Sequence, residues 1–389
     1  MIKTRTRWSS PSRSLSRLVV ALTESFAFVR SSSSSISSAA KVVAVVLSMI
    51  TSKTEARTMK TMNARKFWMK SQTRGEAGLR IPPYAPLNPS KEFDLSLAKK
   101  FRRLSGAAYC AENVTSWTCE YCDQSKLIDV EVFESQRRQV KGFVGFDSER
   151  GAAVVSFRGT EPTKFENWIE NLDATHAGFP VQDFRGKGRV HSGFLDAYVQ
   201  VRMNLTFAIE RLSEKYYLHS RTDLRSDNSS DSNNNNSRNS DSDKGFPVEI
   251  TGHSLGGALA TIAALDLDSW NYANETNNKR MIKRKIDIRN VYTFGSPRVG
   301  DFDFAEVYAE RLGFKTYRIT HGKDVVPSVP NTLLGYRHVP TEVYEDRQGN
   351  LTFGDGSGEW IGGEGHVWRR YSINDHLYYL GDYICGCGT

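Results

Sequence analysis

The chain has 389 residues, 39% hydrophobic and 25% charged, with a formal net charge of +8. That is enough apolar material for one large domain or two modest ones with a packed core. The positive charge does not mark a nucleic-acid binder: residues 1–80 hold about 15 basic and about 3 acidic residues, which leaves 81–389 at about −4, with no nucleic-acid module and no basic stripe.

The N-terminus reads as a leader. Residues 1–23 are rich in Arg and Ser, the first acid is Glu24, and a serine run spans Ser31 to Ser35. Lys41-Val-Val-Ala-Val-Val-Leu-Ser-Met-Ile50 is a short apolar run behind a positive charge, as in a signal peptide, and is too short for an ordinary transmembrane helix. Residues 1–80 are therefore expected to be disordered or removed, and 81–389 to form one domain. The expected destination is the secretory pathway and the outside of the cell. The long n-region keeps a transit or bipartite leader to a plastid or other organelle as the alternative.

Cys110, Cys119 and Cys122 form one cluster, Cys385 and Cys387 another. Zinc lacks a second ligand pair of matching spacing, and a thioredoxin-like reading lacks its strand–helix context. Structural disulfides with one thiol left over fit a secreted protein. Sequons at Asn113, Asn204, Asn274 and Asn350 are compatible with secretion.

From about residue 90 strand-like and helix-like stretches alternate. Strands are predicted at Val140–Asp147, Ala152–Phe157, Phe246–Thr251, Val291–Phe294 and Thr316–Thr320, and helices at Phe194–Tyr216 and Leu255–Trp270. Residues 220–245 are rich in Ser, Asn and Asp, with Asn233–Asn236 in a row, and are expected to be a disordered surface insertion. The alternation predicts an α/β layer fold with a largely parallel or mixed sheet.

Between the strand ending near Thr251 and the following helix lies Gly252-His-Ser-Leu-Gly256, a G-x-S-x-G. A serine on a sharp strand-to-helix turn sits in a strained conformation, and side chains two residues to either side would collide, so both places want glycine. The motif lacks the Lys-Ser/Thr of a P-loop and the G-x-G-x-x-G of a dinucleotide fold. Ser254 is thus the expected nucleophile. It needs a base, and the base an acid, in the chain order Ser, Asp/Glu, His. Asp324, just after a strand, is the preferred acid over Asp301 and Asp303, which read as turn and cap residues. His376, in Asn374-Asp-His-Leu-Tyr-Tyr-Leu380, is the preferred base over His366 and His338.

The blocks "VVSFRGT" (154–160), "NWIENLDA" (167–174), "VHSGFLDAY" (190–198), "TGHSLGGALA" (251–260), "YTFGSPRVGD" (292–301), "GKDVVPSVP" (322–330), "GYRHVPTEVY" (335–344) and "DHLYYLG" (375–381) resemble, in order and approximate spacing, the fungal-type class 3 lipases across about 105–387. The resemblance implies an α/β-hydrolase fold: a central, mostly parallel or mixed sheet flanked by helices, with a short helical lid. It implies Ser254, Asp324 and His376 as the triad, and Thr160 and Leu255 as the oxyanion hole. Removing one oxyanion donor typically weakens transition-state stabilisation by about 3 kcal/mol. It also implies a short disulfide Cys119–Cys122 and a long one from Cys110 to Cys387, the alternative partner being Cys385.

Phe165, Trp168, Ile169 and Leu172 fall at i, i+3, i+4, i+7, one stripe of a short helix. In the lipases the chain resembles, this would be a lid that covers Ser254 when closed and meets a lipid interface when open. The alternative is a helix packed permanently on the core. The expected function is hydrolysis of lipid carboxylic esters, as by a triacylglycerol lipase, through an acyl-enzyme. Phospholipase A1, galactolipid lipase and feruloyl esterase are rivals within the fold, and a transacylase or an inactive lipid-surface binding protein stand further off. No metal or organic cofactor is called for. The expected partners are a lipid ester at a lipid–water interface and the membrane or droplet surface that carries it, with no nucleic acid, and the protein acts as a monomer.

Overall fold

Short apolar runs, buried on both faces, build the centre of the fold. The computed structural model describes residues 92–110, 113–172, 175–179, 188–217, 245–273, 285–354 and 372–385. All belong to the second of the two units into which the chain divides, Ile81–Thr389. The expected leader, and the expected insertion up to residue 244, lie outside the described residues.

The strands are β1 (Leu127–Ser135), β2 (Val140–Asp147), β3 (Ala152–Phe157), β4 (His176–Gly178), β5 (Arg189–His191), β6 (Phe246–His253), β7 (Ile286–Phe294), β8 (Gly300–Asp301), β9 (Thr316–His321), β10 (Tyr336–Arg337), β11 (Glu342–Glu345) and β12 (Leu351–Phe353). The helices that matter here are α1 (Leu95–Ala107), α2 (Phe165–Glu170), α3 (Ser192–Leu212), α4 (Leu255–Ala273), α5 (Phe302–Leu312) and α6 (Ile373–Leu377).

Eight strands form one sheet in the order β1-β2-β3-β6-β7-β9-β11-β12. The run β3-β6-β7-β9-β11 is parallel; β1-β2-β3 and β11-β12 are antiparallel. The sheet is thus mixed with a parallel centre. Side chains alternate between two cores: Val144, Val155 and Ile250 join α3 and α4 on one face, while Phe143, Val154 and Tyr292 join α1 on the other. Parallel strands covered on both faces read as continuous apolar runs, which is why β3 is legible from Ala-Ala-Val-Val-Ser-Phe. A small second sheet, β10-β8-β5-β4, lies apart from the large one.

Three expectations change. β7 begins at Ile286, well before Val291. The α2 stripe does not include Leu172: the helix ends at Glu170, and the Asn171 side chain donates to the Asn167 carbonyl at 2.6 Å. Leu172 still packs against the core, as Trp168 does. Cys119 and Cys122 are bonded and so is Cys110, but Cys385 is a buried free thiol, which removes it as the alternative partner. Cys387 lies outside the described residues. Among the described residues no helix is long and apolar enough to cross a membrane.

Candidate active site

β6 ends at His253 and α4 begins at Leu255, so one residue turns the chain. That residue, Ser254, has φ +58°, a left-handed conformation costly for a side chain with a Cβ. The flanking glycines make room for it. A Cβ on Gly252 would lie 2.2 Å from the Gly256 carbonyl oxygen, and one on Gly256 would lie 2.1 Å from that of Phe157 at the end of β3. The Ser254 N–H donates to the Phe294 carbonyl of β7 at 2.9 Å. Its Oγ is buried and has no hydrogen-bond partner among the described residues.

Asp324 sits on the loop after β9, and His376 on α6, whose N-cap is Ser372. The two side chains are each 1% exposed and meet at 2.7 Å, His376 Nδ1 to Asp324 Oδ2. A carboxylate can only accept, so Nδ1 carries the proton and Nε2 keeps its lone pair. Nε2 is buried and unpartnered among the described residues, like the serine hydroxyl. The Val326 N–H donates to Asp324 Oδ1 at 2.8 Å, and the Tyr379 hydroxyl makes a short bond to Oδ2. Burial and the Asp324 charge push the Tyr379 phenol well up, so it stays a donor.

The runners-up are engaged elsewhere. Asp301 caps α5 through the Phe304 N–H at 3.0 Å and pairs with Arg189, and Asp303 is exposed. His338 donates from Nε2 to the Pro327 carbonyl at 2.7 Å. Burial, then Arg318 and Arg298, hold its imidazole well below the ordinary value. His366 lies outside the described residues.

Three supporting residues carry no sequence signal of their own. His253 faces the Tyr109 hydroxyl through Nδ1 at 2.7 Å and donates from Nε2 to the His376 carbonyl at 2.8 Å. Burial, then the neighbouring His376, keep His253 well below the ordinary imidazole value and so neutral. Tyr379 is the third. Gly159 itself is pressed into the site: a Cβ there would lie 2.2 Å from the Tyr109 oxygen and 3.0 Å from the Ser254 Cβ. Thr160 follows it directly. Leu255 opens α4, where first-turn N–H groups lack an intrahelical acceptor.

α2 covers the pair. The Phe165 ring stacks on the His376 imidazole with centroids 4.4 Å apart and planes 19° apart. Trp168 stacks on Phe165 at 5.8 Å and reaches Phe194 of α3 at 6.5 Å. Phe165 is buried, while Ile169 is half-buried. Among the described residues no group of His, Cys, Asp and Glu could hold a metal ion.

The chain is similar to known proteins in sequence and fold. The family model for lipase (class 3) matches residues 154–222 and 233–334. The chain is 29% identical over 261 residues to secreted mono- and diacylglycerol lipase 1 of Fusarium solani, covering 65% of this chain and 64% of that one. It is 34% identical over 184 residues to the chloroplastic phospholipase A1-Igamma2 of Arabidopsis thaliana, covering 46% and 31%. It therefore spans less than two-thirds of the length of either. Among solved structures, lipase II from Rhizopus niveus superposes with a TM-score of 0.58 at 24% identity, over 75% of this chain and 96% of that one, a likeness of fold. The family match runs from β3 through the serine turn to the loop beyond Asp324, and over that stretch the chain is similar to the class 3 lipases.

Proposed function

We propose that this protein hydrolyses carboxylic esters of lipids, as a triacylglycerol lipase does, with Ser254 as nucleophile, His376 as base and Asp324 as its orienting acid. The observation that carries this is the His376–Asp324 bond of 2.7 Å in a buried site where neither the strained serine hydroxyl nor the outer imidazole nitrogen has a partner among the described residues. An orphaned buried hydroxyl and an orphaned imidazole nitrogen are each unfavourable for folding alone and useful only in reaction.

In this reading His376 Nε2 takes the Ser254 proton as Oγ attacks the acyl carbonyl. Asp324 holds the tautomer and offsets the imidazolium charge. The N–H groups of Thr160 and Leu255 receive the oxyanion. The alcohol leaves with the proton, and water then attacks the acyl-enzyme with the same base, releasing the acid. Phe165 lies on the imidazole, so substrate enters only when α2 moves away. An apolar lid of Phe165, Trp168 and Ile169, with Leu172 just beyond the helix end, suits a lipid–water interface.

The Arabidopsis likeness favours one second reading, phospholipase A1 action through the same residues. The name of the Fusarium relative supports export of this protein, with the plastid as the alternative. The lipid surface is the expected partner, with the chain acting as a monomer after loss of residues 1–80.

The test is fatty-acid release by residues 81–389 and by the Ser254→Ala variant. Substrates are a short-chain monoester, a long-chain triglyceride and a phospholipid, each below and above the concentration at which it forms an interface. Release from triglyceride that jumps with the interface, in wild type alone, is expected. Equal release by a folded Ser254→Ala protein would sink the mechanism, and release from phospholipid alone would move the protein to the second reading.

A further inference from the structure

Two residues never touch the reacting atoms, yet each immediately precedes one that does. Lys323 precedes Asp324, and Asp375 precedes His376. The Asp375 carboxylate joins them: Oδ2 accepts the Lys323 N–H at 2.7 Å. Its Oδ1 accepts the Ser372 hydroxyl at 2.8 Å, and the Lys323 carbonyl accepts the Ser372 N–H at 3.0 Å. His321 Nδ1 donates to the Asp375 carbonyl at 3.0 Å. The loop bearing the acid and the helix bearing the base are therefore laced together one residue upstream of the chemistry. The fit is close: a Cβ on Gly322, at φ +49°, would lie 2.4 Å from Asp375 Oδ2.

A third segment holds the carboxylate in place. Arg347 lies in the turn between β11 and β12 and meets Asp375 as a fork. Nε and Nη2 reach Oδ2 at 3.0 and 2.9 Å, and Nη2 reaches Oδ1 at 3.0 Å. The turn is itself fixed, since Asp346 Oδ1 accepts the N–H groups of Gln348 and Asn350, each at 2.9 Å. Burial alone would push the Asp375 carboxyl up, but the Lys323 N–H, the Ser372 hydroxyl and Arg347 together hold it below the usual carboxylate range. It thus remains an acceptor for all three. The Arg347 side chain is 49% exposed, where an ion pair adds little stability but a two-pronged guanidinium fixes orientation.

We propose that Arg347 is a positioning residue for the hydrolase: by clamping Asp375 it sets the approach of His376 to Asp324. The proposal rests on the triad reading above. Without the fork, the carboxylate turns toward water, the Lys323 N–H loses its acceptor, and the acid loop and base helix shift against each other. Misplacements of this kind slow chemistry without touching substrate binding.

The experiment compares wild type with Arg347→Gln and Arg347→Lys. The readouts are kcat and KM on a soluble short-chain ester, the rate at which a fluorophosphonate labels Ser254, the melting temperature, and the downfield Nδ1 proton resonance of His376. Arg347→Gln should lower kcat and labelling about ten- to a hundredfold with KM within about twofold, and shift or broaden the resonance. Arg347→Lys, a charge without the fork, should recover part of both. Unchanged kcat and resonance in the folded Gln variant overturn the proposal. So does a loss of kcat matched by melting while the resonance stays put, because that is a structural role. If the Gln variant does not fold, full kcat with an unmoved resonance in the Lys variant overturns it. Failure of the fluorophosphonate to label wild type would remove the hydrolase reading instead, and the resonance comparison would still judge the clamp.

Discussion

Gly256→Ala tests whether the serine turn sets the spacing of the oxyanion donors. The new Cβ would lie 2.1 Å from the Phe157 carbonyl oxygen and 2.8 and 2.9 Å from the carbonyl carbons of Phe157 and Arg158. Real Cβ atoms essentially never come closer than 3.0 Å, so the start of α4 must retreat from the end of β3 by about 0.9 Å. Every close atom is backbone, so no side chain can yield instead. Leu255 is on the retreating side and Thr160 on the other, and if they are the oxyanion donors proposed above, both N–H groups must lie within about 3 Å of the oxyanion. Opening that gap removes much of one donor, which lowers kcat about 10²–10³-fold. Overpacking costs about 1–3 kcal/mol of stability, which this fold should survive. The assay is kcat and KM on a soluble short-chain ester, with denaturant unfolding alongside. Gly178→Ala is the control, since nothing lies within 4 Å of its Cβ position. A folded Gly256→Ala protein with kcat within threefold of wild type would refute the argument that this contact sets the donor spacing.

Tyr379→Phe removes one donor from a carboxylate that is 1% exposed. A hydrogen bond to a charged group is worth about 1.5–3 kcal/mol, so chemical denaturation should show a loss of that size together with reduced kcat, and a neutral result would mean the Tyr379 bond to Asp324 is not made in solution. Phe165→Ala takes the ring off the imidazole. Turnover of a soluble monoester should rise and the jump at an interface shrink, whereas an unchanged ratio would make α2 a fixed part of the core. His253 and His338 both have imidazoles held below their ordinary value. The unfolded chain then binds protons that the folded one refuses, so stability is fully present above the ordinary imidazole value of about 6.5 and falls as pH drops below it. Urea unfolding at pH 7 and pH 5 should show this fall, smaller in His338→Gln, and an identical fall in the variant would remove His338 from the account.

Much of the layout was legible because its causes are local. β2 and β3 stand at their predicted bounds, as buried strands between turns do. The serine turn was legible because strain at one residue dictates glycine at two fixed offsets. Other parts depend on partners far along the chain. β1 was missed: its register slips between Ile128 and Glu131, which breaks the alternation that marks a half-buried strand. β4, β5, β8 and β10 are two or three residues long, too short for any period. The Leu172 position followed the helical spacing, but the competing Asn171 side chain stops α2 first. Tyr109, His253 and Tyr379 act through hydrogen bonds to residues far along the chain, and a buried tyrosine or histidine looks like any other until the fold brings up its partner. Arg347 is the extreme case, an exposed arginine in a turn whose meaning lies 28 residues away.

The order in which the site's parts leave the ribosome has its own effect. Thr160 and the lid emerge first, then Ser254 and its turn, then Asp324, and His376 follows 52 residues later. The proposed nucleophile would therefore exist for roughly 6–24 seconds of synthesis with no base to activate it. On the proposed mechanism, a chain interrupted before α6 would carry the strained serine and the lid yet cleave nothing. On the same mechanism, translation itself would keep the protein inactive until His376, the last member of the triad, has been made.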